Sequence, residues 1–213
     1  MHIIKLGLIE YRKAFELQKD IHSQVCEGIL PVAIIVCRHY PVITIGRSAK
    51  SGSLLLSRAE YSRRGIEVVD IDRGGDVTYH SPGQLVVYPI FPMAAFDNDL
   101  HQFLRFIEDA IIDALKCSGI LANRRPGLTG AWVGERKIAS IGIGVKRWVS
   151  YHGLSLIVKA EGLDDFSLIK PCGMDISMTS VETELKKEVS FDRTTSQLIR
   201  SLTYDQCVAA CAG

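Results

Sequence analysis

Hydrophobic positions recur along the chain with two different periods, and the switching between them sketches the order of elements. His2 to Ile9 alternates weakly, as a first strand does. From Glu10 to Gly28, Tyr11, Phe15, Leu17, Ile21 and Val25 fall near helical spacing, with Gly28 as the stop. Pro31 breaks this pattern, and Val32 to Cys37 is a continuous β-branched run suited to a buried strand. Val42 to Ile45 is another strand, so the two read as a hairpin with His39 and Tyr40 near its turn. A polar, glycine-bearing loop runs from Gly46 to Gly52, and Leu54 to Gly65 reads as a short helix. Ile66 to Ile71 and Leu85 to Phe91 are strands on either side of a polar stretch.

The longest helix is predicted after Asp97 as N-cap, with Leu100, Phe103, Leu104, Ile107, Ile111 and Leu115 as its apolar stripe and Gly119 as its end. A β-rich section follows: Trp132 to Gly134, a charged turn at Glu135-Arg136, then Lys137 to Val145 and Trp148 to Val158 as a hairpin joined near Lys146-Arg147. An acidic loop at Glu161 to Asp165 leads to Lys170-Pro171-Cys172-Gly173, and a last helix is expected from Asp192 to about Ala210. Hairpins mixed with helices predict an α+β fold, a mixed and mostly antiparallel sheet flanked by helices. With no repeat, low-complexity tract or linker, residues 1–213 read as a single domain.

Composition narrows the function classes. The 213 residues are 47% hydrophobic and 23% charged, which supports a sizeable core. A net charge of +1 gives no electrostatic footprint for nucleic acid or an anionic membrane. The six cysteines are scattered without a CxxC pair, which argues against both a zinc site and a disulfide framework. Cys207 and Cys211 lie four apart, a spacing that would put them on one helical face and a weak basis for a metal. No secretory or transit signal leads the chain, and no run approaches the roughly 18 apolar residues of a membrane span. The expected setting is a reducing bacterial cytoplasm.

Three places carry candidate chemistry. Arg73-Gly74-Gly75-Asp76-Val77-Thr78-Tyr79-His80 sits between two strands, and its glycines let backbone approach a ligand closely. A surface turn with incidental charges is the competing reading. Cys172, flanked by Pro171 and Gly173, lies on a tight turn, where a positive neighbour would make it a nucleophilic thiolate; an inert loop cysteine fits the local sequence equally. Lys137 opens a strand whose Ala139, Ser140, Gly142 and Gly144 leave backbone bare, although a solvated strand-end lysine is the commoner situation. His152-Gly153 adds a polar point on the next strand, and a lone histidine is more often structural.

Taken together these segments are more specific. RGGDVTYHSPGQLVVYPI, KIASIGI, HGLSL and KPCG followed by TSV, in this order, closely resemble the octanoyltransferase family of lipoate biosynthesis. The resemblance runs from Pro41 to Val181 and implies the fold of the biotin and lipoate protein ligases. It implies that Cys172 is the acyl-carrying nucleophile and that Lys137 lowers its pKa and moves protons. It implies substrate-binding segments at Arg73 to His80, at Ser140, Ile141 and Gly142, and at Gly153, Leu154 and Ser155. The implied donor is octanoyl-acyl carrier protein, and the implied acceptor is a lysine on a lipoyl domain of a 2-oxoacid dehydrogenase or a glycine-cleavage protein. No cofactor and no metal are implied. The pattern departs from the family at Ser81 (usually Gly), at Ile157 (usually Asn) and at Ser177-Met178 (usually Gly-Val or Gly-Met).

The implied chemistry is ping-pong acyl transfer through a thioester on Cys172, which keeps the energy of the donor bond and needs no nucleotide. Three alternatives remain at this level. An ATP-dependent lipoate or biotin ligase has an RGG loop and a lysine but no need of Cys172. A thioesterase would pass the acyl group to water, and a non-catalytic acyl-carrier-binding protein would form no acyl adduct.

Overall fold

The computed structural model describes residues 1–171 and 174–203. Its strands are β1 His2–Ile9, β2 Ala33–His39, β3 Val42–Ile45, β4 Glu67–Asp70, β5 Val77–His80, β6 Gln84–Ile90, β7 Asn123–Arg125, β8 Leu128–Val133, β9 Arg136–Lys146 and β10 Val149–Ile157. The helices are α1 Tyr11–Cys26, α2 Arg58–Arg63, α3 Leu100–Lys116, α4 Val181–Leu185 and α5 Phe191–Leu202, with 3-10 turns at Met93–Phe96 and Asp164–Leu168. Seven strands form one sheet in the order β1-β2-β6-β10-β9-β8-β7, and a second sheet has the order β4-β3-β5. β1 and β2 are parallel, as are β3 and β4; the other ladders are antiparallel.

Both faces of the large sheet are covered, which is why its central strands are apolar without strict alternation. Ala14, Ile21 and Val25 of α1 pack on Ala33, Ile35, Val86 and Tyr88. Phe103, Ile107, Ile111 and Leu115 of α3, with Leu198 and Leu202 of α5, pack on Ile34, Val87, Ile138, Leu154 and Leu156. The small sheet closes a separate cluster around Ile43, Tyr61, Tyr79 and Phe166.

Several expectations need correction. Val32–Cys37 and Val42–Ile45 do not form a hairpin: β2 lies between β1 and β6, whereas β3 crosses to the small sheet. At the crossing, His39 is held by the carbonyl of Ile9 (3.0 Å) and by Tyr88 Oη (2.7 Å), and the carbonyl of Pro41 receives Glu67 N–H (3.1 Å). The expected helix from Leu54 shortens to Arg58–Arg63, because Ser57 and Glu60 form a capping box there. Asp99, not Asp97, caps α3, and Asp97 instead ends the preceding 3-10 turn in the left-handed region (φ 53°). The β9–β10 turn falls on Arg147 and Trp148, both left-handed (φ 52° and 57°), one residue later than expected. The polar stretch after Arg73 contains a strand, β5. Cys172, Cys207, Cys211 and the expected helix end near Ala210 lie outside the described residues.

Candidate active site

A cleft of ≈ 350 Å³ is lined from both sheets, at the small end of ligand sites, which span about 300–1,000 Å³. Arg73, Gly74, Gly75, Asp76, Val77, Thr78 and His80 line it, as do Lys137, Ser140, Ile141, Gly142, Gly153, Leu154 and Ser155. All but one of the described residues expected to be catalytic or substrate-binding therefore share one space. The exception is Tyr79, whose ring packs edge-on to Phe166 and whose hydroxyl donates to Asp165 (2.7 Å). Pro171 and Met174, the described residues on either side of 172–173, also line the cleft.

Lys137 reaches this cleft through an irregularity in β9. Ala131 of β8 pairs with Ala139, but the next residue, Trp132, pairs with Lys137. Ile138 is therefore an extra residue, and both Ile138 and Ala139 are buried in the core shared with α3. The bulge shifts Lys137 onto the cleft side together with Ser140 and Gly142, where strict alternation would have separated them. Gly130 makes the room for it. A Cβ at Gly130 would stand 2.8 Å from Lys137 Cε and against the carbonyl of Ala139, and its φ of 128° is open only to glycine.

The backbone of Lys137 also anchors the segment beyond Cys172. Lys137 N–H donates to Ser177 (2.8 Å), and Thr179 N–H donates to the carbonyl of Lys137 (2.9 Å). On the near side, Lys170 N–H donates to Ser53 (2.8 Å) and Leu54 bridges to Ile169. Residues 172–173 are thus bracketed by two fixed points, one of which is Lys137 itself.

The Arg73 loop forms the opposite wall. Pairing between β8 and β9 ends at Ala139, and further along Gly74 N–H donates to the free carbonyl of Ile143 (2.9 Å). Arg73 lies over Gly142, where a Cβ would meet its Cδ at 2.9 Å. Its guanidinium donates to Thr44 Oγ1 (3.1 and 3.0 Å), to the Thr44 carbonyl (2.7 Å) and to the Gly74 carbonyl (2.9 Å). Burial lowers the Arg73 pKa to about 10, so the group stays charged at neutral pH. Most of its donors hold the loop in shape, which makes it a wall residue.

His80 is fixed and neutral. Burial first, then the neighbouring His39 and Arg73, lower its pKa to about 3. Gln84 Nε2 donates to the Tyr79 carbonyl (3.0 Å), which orients the amide so that its oxygen faces His80 Nδ1 (3.3 Å). Nδ1 then carries the proton, and a base this weak is poorly suited to general-base work. His152 is likewise held low, to about 4, by burial that outweighs the nearby Asp72 carboxylate. Its Nε2 lies 2.9 Å from Asp72, which also accepts from Tyr151 Oη (2.6 Å). Burial pushes Asp72 up, but the hydrogen bonds from Tyr151 and His152 prevail and hold it below the usual carboxylate range.

Sequence reading missed the polar lining residues Tyr11, Thr44 and Tyr88 and the apolar lining residues Leu100, Leu104 and Leu128. Only Thr44 gave a signal, as the lone polar residue of an apolar strand. The departures from the family pattern do not line the cleft at Ser81, Ile157 or Ser177. Ser81 Oγ donates to the carbonyl of Glu161 (3.1 Å), Ile157 is in the core of the small sheet, and Ser177 bonds Lys137 through its backbone. Met178 does line the cleft.

The sequence pattern of the lipoyl protein ligase A/B catalytic domain matches residues 10–203. An octanoyltransferase of Geotalea uraniireducens is 42% identical over 186 residues, covering 87% of this chain and 83% of that protein. The chain belongs to the octanoyltransferase family. A second member, from Caldicellulosiruptor saccharolyticus, is 40% identical over 90% of this chain and 83% of that protein. The family's fold extends to distant structures. A bipartite lipoate protein ligase from Thermoplasma acidophilum aligns with TM-score 0.71 at 17% identity, covering 98% of this chain and 89% of that one. The biotin protein ligase of Aquifex aeolicus, with biotin and ATP, aligns with TM-score 0.58 at 10% identity over all of this chain and 73% of that one. The α+β fold of the biotin and lipoate ligases expected from sequence is thereby shown. No helix among the described residues is long and apolar enough to cross a membrane.

Proposed function

We propose that this octanoyltransferase-family chain moves an octanoyl group from an acyl carrier protein thioester to a lysine on a lipoyl domain, through a thioester on Cys172. The supporting observation is the bracketing of residue 172: Lys137, which lines the cleft, is bonded through its backbone to Ser177 and Thr179, and Ser53 holds Lys170. In the first half-reaction neutral Lys137 takes the thiol proton of Cys172. The thiolate adds to the thioester carbonyl, the carrier thiolate leaves and recovers that proton from Lys137. In the second, a neutral acceptor amine adds to acyl-Cys172, the Cys172 thiolate leaves, and Lys137 relays the amine's proton to it. Backbone N–H groups along the free edge of β9 would stabilise each tetrahedral oxyanion. Leu100, Leu104 and Leu128 would take the hydrocarbon, each buried methylene contributing about 0.8 kcal/mol.

The carrier protein and the lipoyl domains of 2-oxoacid dehydrogenases or glycine-cleavage protein are the partners this reading requires. The thioester donor is already activated, so the proposal predicts transfer without ATP. The test is intact mass after mixing with octanoyl-acyl carrier protein. One octanoyl group on the unmodified chain and none on C172S is expected. No adduct on the unmodified chain would refute the acyl-enzyme route, and transfer that required ATP would indicate a ligase.

A further inference from the structure

Ser53 lies outside every segment singled out from sequence, yet it joins two of them. Its side chain is buried (3% exposed), and Oγ donates to Asp76 Oδ2 at 2.7 Å. Asp76 is also buried (4% exposed), and its other oxygen accepts Val77 N–H at 2.7 Å. The carbonyl of the same Ser53 receives Lys170 N–H at 2.8 Å, two residues before Cys172. The next residues continue the attachment: Leu54 bridges Ile169, and Tyr61 Oη donates to the Leu168 carbonyl (2.6 Å) while accepting Leu55 N–H (3.1 Å). Upstream, Gly46, Arg47 and Ser48 bond the backbones of Asp76, Arg73 and Gly75. Residues 46–55 therefore lace the Arg73 loop to the chain entering Cys172, and Ser53 is the point where side chain and backbone hold both partners at once.

We propose that Ser53 is a positioning residue that sets the segment bearing Cys172 against the substrate loop through Asp76. The inference rests on the acyl-Cys172 reading above. A buried carboxylate holds its donors tightly, so the Asp76–Ser53 bond fixes Ser53, and Ser53 in turn fixes Lys170. An error of about 1 Å in such a placement is enough to cost about a hundredfold in rate. Because the loop side of the link lies in the cleft wall, an acyl group seated there bears on the placement of the nucleophile.

The test compares S53A, S53T and D76N with the unmodified chain, using octanoyl-acyl carrier protein as acyl donor and iodoacetamide as a small thiol probe. S53A is expected to slow acylation by roughly tenfold or more, with the donor KM changed less than about twofold. The pH profile of Cys172 alkylation should shift with it. S53T, which keeps the hydroxyl, should recover most of the rate. D76N reads the same contact from the other side and should slow acylation without adding to S53A in the double variant. S53A acylated at the unmodified rate, or S53T as slow as S53A, would overturn the inference while leaving the acyl-enzyme route intact provided C172S takes no acyl group. Should S53A fail to fold, full-rate acylation of D76N is the overturning result. An adduct that persists in C172S would overturn both.

Discussion

The Lys137 side-chain nitrogen lies over the ring of buried Trp132, 5.2 Å from the ring centroid. The ring holds the side chain over β8, and its electron-rich face steadies the ammonium that Lys137 becomes on taking a proton. Replacing Trp132 with Phe keeps a ring there, whereas Leu removes it. Acyl transfer should survive W132F within about threefold and fall about tenfold in W132L, the latter a loss of about 1.4 kcal/mol relative to the unmodified chain. Rates corrected for the folded fraction, from circular dichroism, check this; equal rates for the two variants would contradict it.

Gly130 allows Lys137 to pass, and G130A would place a methyl group against Ala139 and Lys137 in a backbone region closed to alanine. The expected cost is about 2 kcal/mol or more in stability, together with displacement of the lysine. Urea denaturation should show the lowered midpoint, and acylation by octanoyl-acyl carrier protein should drop by more than the loss of folded protein accounts for.

Thr44 satisfies the buried Arg73 guanidinium through its hydroxyl and its carbonyl. T44V keeps the shape and removes the hydroxyl, so a desolvated cation loses a partner. A destabilisation of about 2 kcal/mol is expected, with weakened binding of an octanoyl ligand measured by calorimetry. An unchanged denaturation midpoint would mean that water replaces the hydroxyl.

Three histidines make stability depend on pH. Burial lowers His39 and His152 from 6.5 to about 4 and His80 to about 3. Each is neutral in the fold but protonates near its ordinary value when unfolded. The unfolded chain therefore binds more protons between those values, and the stability they provide is full above about pH 6.5 and lost as pH falls toward 4. The slope approaches at most about 4 kcal/mol per pH unit for three protons. Denaturation midpoints should fall from about pH 7 to pH 5, and a flat profile would rule out the buried neutral histidines.

The helices α1 and α3 were readable from their own residues because burial on one face dictates a helical period, and β6 and β10 because burial on both faces leaves a continuous apolar run. What failed was partner choice. β2 and β3 are adjacent apolar runs, and nothing within them says that one enters a seven-stranded sheet and the other a second sheet; that is settled by β1, β4 and β5, which are distant in sequence. In the site, neither Lys137 nor the glycine-rich loop was decisive alone, since a strand-end lysine and a surface turn fit each locally; the order and spacing of the motifs together made them legible. Ser53, Trp132 and Gly130 were not, since each acts through a neighbour: a carboxylate on another loop, a cation on the facing strand, and space left empty.

Ile138 has a consequence for how this site tolerates insertions and deletions. Removing that one residue would give β8 and β9 a continuous ladder, and by the usual measures a more regular sheet. The same deletion would leave Lys137 directly beside Ala139 and, by alternation, still on the cleft side with Ser140. The disabling change is a slip of the pairing with Ile138 kept: were Trp132 to pair with Ile138, Lys137 would face α3 and the cleft would lose its amine. The strand can therefore lose its extra residue, but cannot keep it and straighten.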